Sequence, residues 1–212
     1  MKRGRISDRH LSLPEDTELV RQLLSHDEHA FTLAVRAYQG QMLRLARALV
    51  GETMAEEVVQ ETWLAVLKAL PDFEGRARLK TWILHILCNI AKSQLRREAR
   101  SARTTQCWDD DPPGEARFDA NGQWQSPPCP WQEETPEALL KAEELHQCIE
   151  SAIAALPPTQ QAVLTLHDME GLAMDEICNI LAISPTNGRV LLHRARARLW
   201  AAVENYEKER GC

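Results

Sequence analysis

The residues best suited to chemistry in this chain lie between positions 76 and 97. Arg76, Arg78, Lys80, Thr81 and Trp82 come first, and His85, Asn89, Lys92 and Arg96 follow at spacings of four, three and four, with Arg97 adjacent. In a helix that spacing puts the last four on one face, while Ile83, Ile86, Leu87 and Ile90 lie on the opposite one and must be buried. Guanidinium and ammonium groups neutralise phosphates. A flat indole gives an unpaired base a surface to stack on, worth roughly 1–3 kcal/mol per base. Cations, polar side chains and one exposed ring in this order suit single-stranded or melted DNA.

Upstream, Val59, Trp63, Val66 and Leu70 recur at helical spacing and point to a core. Glu56, Glu57, Gln60, Glu61 and Leu64 fall on the outer side. A charge run alone is a solvated helix face; an outward leucine ringed by carboxylates reads instead as a protein-contact patch, and here it adjoins the basic helix. Two further amphipathic stretches precede it, Thr17 to Leu24 and Phe31 to Val50, the second with Tyr38, Met42, Leu45 and Leu49 on one face.

Near the C-terminus a helix-turn-helix is legible. Asp175 to Leu181 predicts its first helix and Ala182-Ile183 the turn, with Ser184 as N-cap and Pro185 at the first helical position. Leu192, Ala195 and Leu199 then face inward. The N-terminal part of such a second helix reaches base edges in the major groove, which makes Thr186, Asn187, Arg189 and Val190 the candidate readers. His193, Arg194, Arg196 and Arg198 are placed to hold phosphates.

Both segments resemble a known family. Ala55-Glu56-Glu57-Val58-Val59-Gln60-Glu61-Thr62-Trp63, then Phe73-Glu74-Gly75, Leu79-Lys80-Thr81-Trp82-Ile83, Asn89 and Leu95-Arg96-Arg97 are similar to region two of bacterial RNA polymerase sigma factors of the extracytoplasmic-function (ECF) class. Residues 156 to 199, closing on His193-Arg194-Ala195-Arg196-Ala197-Arg198-Leu199, resemble region four. The resemblance implies core RNA polymerase and promoter DNA as partners. The helix over residues 55 to 70 would dock on the polymerase clamp, residues 76 to 97 would recognise and melt the minus-ten element, and the second helix would read the minus-thirty-five element. It also implies a cognate anti-sigma factor, with a membrane-bound and a zinc-binding partner both open. It implies no cofactor, no metal and no small-molecule substrate. Two departures stand out: the family usually has Gly where Ala182 sits, and Thr-Val-Lys-Ser-Arg where this chain has Asn187-Gly188-Arg189-Val190-Leu191. A glycine inside a helix costs on the order of 1 kcal/mol relative to alanine, and Gly188 would let the recognition helix approach DNA closely.

Composition fits an all-α chain with two small helical domains. A basic tail over residues 1–14 precedes a first domain at 15–98; a flexible acidic, Pro-rich linker follows at 99–136, and the helix-turn-helix domain takes 137–208. The net charge of −6 is unevenly spread. Residues 76 to 103 hold eight Lys or Arg against one Glu, whereas residues 104 to 137 hold eight Asp or Glu against one Arg. A chain with this overall field binds free DNA poorly and needs a partner that supplies most of the grip. Promoter elements 20–25 base pairs apart are separated by roughly 70–85 Å, and an extended linker of this length reaches on the order of 100 Å. Trp108, Trp124 and Trp131 lie within it, to dock on a partner or to fold back on the domains.

Six cysteines without CxxC pairing or a secretory signal point to the reduced cytoplasm, with Cys88, Cys148 and Cys178 as small core residues. No phosphate-cradling glycine loop, nucleophile elbow or HExxH argues for an enzyme. The rival reading is a stand-alone helix-turn-helix regulator binding palindromes as a dimer; it leaves Trp82 and the 85/89/92/96 stripe unexplained. A protein that only sequesters polymerase leaves the recognition helix unexplained.

The linker acids carry the first prediction. By resemblance, Asp109, Asp110 and Asp111 occupy a cation-lined polymerase channel until the growing transcript displaces them. Replacing all three with Asn at constant length is expected to weaken holoenzyme stability and to shift the ratio of abortive to full-length transcripts in vitro. An unchanged ratio and unchanged affinity would make the segment a tether only.

Overall fold

The computed structural model describes residues 14–102 and 136–210, and every regular element among them is helical. The expected linker acids, the linker tryptophans, residues 1–13 of the N-terminal tail, Cys107, Cys129 and Cys212 all lie outside the described residues. The first half contains α1 (Asp16–Leu24), α2 (Glu28–Val50), α3 (Glu52–Ala69), a 3-10 turn (Leu70–Asp72) and α4 (Leu79–Ala102). The second contains α5 (Pro136–Ala154), α6 (Pro158–Leu164), a π-helical stretch (Thr165–Met169), α7 (Met174–Leu181) and α8 (Pro185–Arg210). α4 therefore runs past the boundary expected at residue 98.

Local chemistry sets the helix starts. Asp27 caps α2, its carboxylate accepting from the backbone N–H of His29 at 2.8 Å and of Ala30 at 3.4 Å. α4 is capped from a distance: the buried Leu79 donates its N–H to the Asp16 carboxylate of α1 at 2.7 Å. The Ser184 hydroxyl accepts from the N–H of Asn187 at 3.2 Å, and Pro185 opens α8, as the motif requires. Tyr38, Met42, Leu45 and Leu49 of α2 are all buried, as are Val59, Val66 and Leu70, with Trp63 half-buried edge-on to Phe31.

The two halves do not stand apart. α2 packs against α6 and α4 against α7, so the buried side chains form one continuous core. Polar ties cross the seam. The π-helical stretch, closed by the Glu170 N–H donating to the Thr165 carbonyl at 3.0 Å, swings Glu170 toward α2. Gln41 donates to one of its carboxylate oxygens at 2.7 Å and Arg44 Nε to the other at 2.6 Å. Lys92 Nζ donates to the Leu181 carbonyl at 2.6 Å, and Thr81 Oγ1 to Glu176 at 3.4 Å. Residue periodicity predicted the helices; it gave no sign of this packing.

The two departures, one in the turn and one in α8, have physical explanations. Ala182 ends α7 in the left-handed region at φ 55°, ψ 51°, a conformation that is unfavourable by roughly 1–2 kcal/mol for a residue with a Cβ; glycine is the unstrained choice there. Gly188 is buried against α7, and an added Cβ would lie 2.9 Å from Met174 Sδ and 3.1 Å from Cys178 Sγ. Its missing side chain thus serves helix-helix packing, not the close approach to DNA expected from the sequence. Gly188→Ala is expected to destabilise the fold by about 1–3 kcal/mol through overpacking, outweighing a propensity gain of about 1 kcal/mol. Thermal denaturation of Gly188→Ala against the parent would show the loss.

Candidate nucleic-acid interface

Three surfaces carry the expected functional residues. On α3, Glu56, Glu57, Gln60, Glu61 and Leu64 are all exposed, and Leu64 shows 70% of its surface to solvent. The inward face is paid for by Val58, Val59, Thr62 and Val66, which are buried, so the outward acidic face follows from helical geometry alone.

On α4 and the loop before it, Arg76, Arg78, His85, Asn89, Arg96 and Arg97 are exposed and Lys80 is half-buried. Arg76 pairs with Glu74, and Arg97 donates to Gln94 at 3.4 Å. The buried side is broader than expected: besides Ile83 and Leu87 it takes Leu84, Cys88 and Ala91, while Ile86 and Ile90 are half-buried. Burial pushes the Cys88 thiol up to about 12, consistent with a core role. Trp82 is half-buried, its ring 4.9 Å from that of Phe73 at 52°; Phe73 fixes its orientation. Thr81 is buried and Lys92 half-buried, both turned to α7 by the bonds described above. The structure thus groups most of the expected set and withdraws these two from solvent.

A groove of about 260 Å³ joins the first two surfaces. Glu61 of α3 forms one wall; Asn89, Ser93, Gln94 and Arg97 of α4 form the other, over the half-buried Ile86 and Ile90. Ser93 and Gln94 escaped the sequence reading, because neither breaks a pattern; their place one turn beyond Asn89 was the available signal.

On α8, Thr186, Asn187, Arg189 and Val190 are exposed. His193, Arg194, Arg196 and Arg198 are half-buried, and Arg196 and Arg198 are engaged by partners inside the domain. Arg198 donates to the buried Gln160 at 3.1 Å, and Arg194 Nε is buried without a hydrogen-bond partner. Arg196 forks onto Asp168, with Nη2 to Oδ1 at 2.6 Å and Nε to Oδ2 at 3.0 Å. His167 Nδ1 also lies 2.6 Å from Asp168 Oδ1. Burial alone would raise the Asp168 carboxyl, but the hydrogen bonds from Arg196 and His167 outweigh it and hold the group below its usual 3.8.

An exposed acidic helix face beside a cationic one, and a helix-turn-helix whose second helix has an exposed N-terminal edge, are surfaces that a DNA-binding transcription factor working with a protein partner would present. Residues 34–101 match sigma-70 region 2 and residues 146–199 match sigma-70 region 4. The chain is 29% identical over 181 residues to the ECF RNA polymerase sigma-E factors of Salmonella typhimurium and of Escherichia coli K12, covering 85% of this chain and 90% of each relative. A probable RNA polymerase sigma factor of Haemophilus influenzae is 28% identical over 168 residues, covering 79% and 86% of the two chains. In fold it is similar to CnrH, solved in complex with the cytosolic domain of CnrY, at a TM-score of 0.55 and 22% identity over 90% of this chain and 97% of that one. It is also similar to the sigma factor RpoE of Bartonella quintana, solved with the anti-sigma factor NepR, at 0.57 and 20% identity over 82% and 96%. The chain belongs to the sigma-70 family, in its ECF class. As such it is an alternative sigma factor, a transcription initiation factor that binds core RNA polymerase and directs it to promoters.

The Asp168 cluster yields a prediction with two readouts. A lowered carboxyl contributes stability that is present above its ordinary pKa of 3.8 and lost as pH falls through the lower folded value. Asp168→Asn should therefore be the less stable protein at neutral pH and converge with the parent in acid. By removing the carboxylate that Arg196 now forks onto, it should also steepen the salt dependence of DNA binding by about one logarithmic unit per added phosphate contact. An unchanged slope would show that Arg196 does not reach the backbone.

Proposed function

We propose that the work is divided among the three surfaces. Glu56, Glu57, Gln60, Glu61 and Leu64 dock on core polymerase. Arg76, Arg78, Lys80, Thr81 and Trp82, with the face His85, Asn89, Lys92, Arg96 and Arg97, take the melted minus-ten strand. Thr186, Asn187, Arg189 and Val190 read the minus-thirty-five element in the major groove, while His193, Arg194, Arg196 and Arg198 position the helix. The observation that carries this reading is the groove between Glu61 and Asn89, which makes the acidic and cationic surfaces one continuous face. A strand held on α4 would lie directly against the partner seated on α3.

The residues at 15–98 and 137–208 act as the two reading domains and those at 99–136 as their connection. The protein initiates transcription without being a catalyst itself; the polymerase performs the chemistry. Among the described residues no helix is long and apolar enough to cross a membrane, and the site of action is the cytoplasm, at the nucleoid when promoters are engaged. Both solved neighbours were captured with a second protein, the cytosolic domain of CnrY in one and the anti-sigma factor NepR in the other. By that likeness an anti-sigma factor restrains this chain too, covering its polymerase-facing surfaces.

Glu57→Lys with Glu61→Lys should weaken binding to core polymerase at least about tenfold, or roughly 1.4 kcal/mol, with the thermal transition of the free protein unchanged. Arg189→Ala should alter preference at upstream promoter positions, each lost base contact costing roughly 1–3 kcal/mol, and leave strand opening intact. Asn89→Ala should do the reverse, slowing opening as followed by permanganate reactivity of unpaired thymines. Identical defects from both would refute the division.

A further inference from the structure

Gln160 of α6 has no surface exposed to solvent, and Ala162, Val163 and Leu164, which follow it on the same short helix, are buried with it. A buried amide has two groups to satisfy, and here only one is met. The carbonyl oxygen accepts from Arg198 Nη1 of α8 at 3.1 Å, whereas the amide nitrogen has no hydrogen-bond partner in the protein. The orientation is forced: a guanidinium only donates, so the oxygen must face Arg198 and the nitrogen is the end left over. A donor shut away from water without an acceptor destabilises a fold, and an apolar side chain of similar shape would avoid that loss. Stability therefore does not account for an amide at this place. What the amide supplies, and an apolar residue would not, is an acceptor that fixes the direction of one arginine.

We propose that Gln160 is a positioning residue for promoter binding, holding Arg198 in the direction from which its guanidinium meets a backbone phosphate. Its role rests on the assignment of Arg198 to phosphates. An arginine loses rotamer freedom when it settles on a phosphate, and a partner that restricts it beforehand makes that loss smaller at the moment of binding. Arg198 is half-buried, so its stem is already packed and the bond to Gln160 has only the head group left to orient. Arg194, one turn earlier on α8, makes the contrast: its Nε is buried with no hydrogen-bond partner. Arg196 makes another, because the group that orients it is the Asp168 carboxylate, which opposes a phosphate as well as aligning the fork. Gln160 is neutral. It can aim an arginine without setting a negative charge beside it.

A double-mutant cycle tests this role in holoenzyme reconstituted from the full chain and core polymerase. The probe is a fluorescein-labelled promoter duplex selected from a random library by the parent holoenzyme. Gln160→Met keeps the length of the side chain and removes the acceptor. It should weaken promoter binding on the order of three- to tenfold, while the thermal midpoint of the free protein stays at or above the parent's. In an Arg198→Ala background the same change should have no effect on binding. Arg198→Ala alone should flatten the dependence of log affinity on log salt by about one unit. Circular dichroism reports whether each variant folds, and Gln160→Leu repeats the cycle where Gln160→Met does not. Unchanged promoter binding, or equal losses in both backgrounds, makes Gln160 a packing residue and overturns the positioning role. Should Arg198→Ala leave both affinity and salt slope unchanged, the assignment of Arg198 to phosphates falls, and the role of Gln160 with it.

Discussion

The structure turns on the apolar stripe of α4. Leu79, Ile83, Leu84, Leu87, Cys88 and Ala91 are buried almost completely, and the helix packs on α2, on α3 and, across the seam, on α7. A helix hemmed in on several sides has little surface left, and what is left must carry most of its polar residues, Thr81 and Lys92 being the two that bond to α7 instead. His85, Asn89 and Arg96 therefore project together because every other direction is filled, and their spacing is the residue of that constraint. Deleting buried atoms from the stripe would disturb both halves at once, since a side chain of this size typically contributes several kcal/mol where packing cannot relax.

Electrostatics then separates the surfaces that packing has left open. The acidic face of α3 and the cationic face of α4 meet along a single groove lined by Glu61 on one side and Asn89 and Arg97 on the other. Opposite fields on adjoining faces favour a partner that presents cations to one and a nucleic acid to the other. A net charge of −6 opposes the approach of free duplex to the isolated chain, against the local attraction of its cationic faces.

What could be read from residues alone follows from the range over which each signal acts. Helical faces repeat every few residues, and the buried positions of α2 and α3 were accordingly legible. So was the turn at Ala182 and Ser184, where capping chemistry is local. The contacts of Glu170 with Gln41 and Arg44 span more than 120 positions, and nothing in either neighbourhood marks them. Arg196 was legible as a cation but not as one already engaged by Asp168, 28 residues earlier. Gly188 was legible as an anomaly, and its meaning had to wait for the sulfur atoms of Met174 and Cys178. Interior periodicity travels along the chain; pairing between elements does not.

The same limit explains why Lys92 reads differently in sequence and in structure. On its helix it completes a cationic face; in the fold it finishes the C-terminus of α7, where unsatisfied carbonyls call for a donor. Both descriptions hold because a lysine is a flexible stem with a compact charge that can serve more than one acceptor. An arginine in its place would present a rigid planar fork, well matched to phosphate but poorly to one carbonyl in a packed seam. A lysine thus suits a position whose charge ends on one carbonyl in the seam, while Arg96 and Arg97, farther along the helix, are exposed. The choice of cation along α4 records which positions lie under the neighbouring domain and which remain in water.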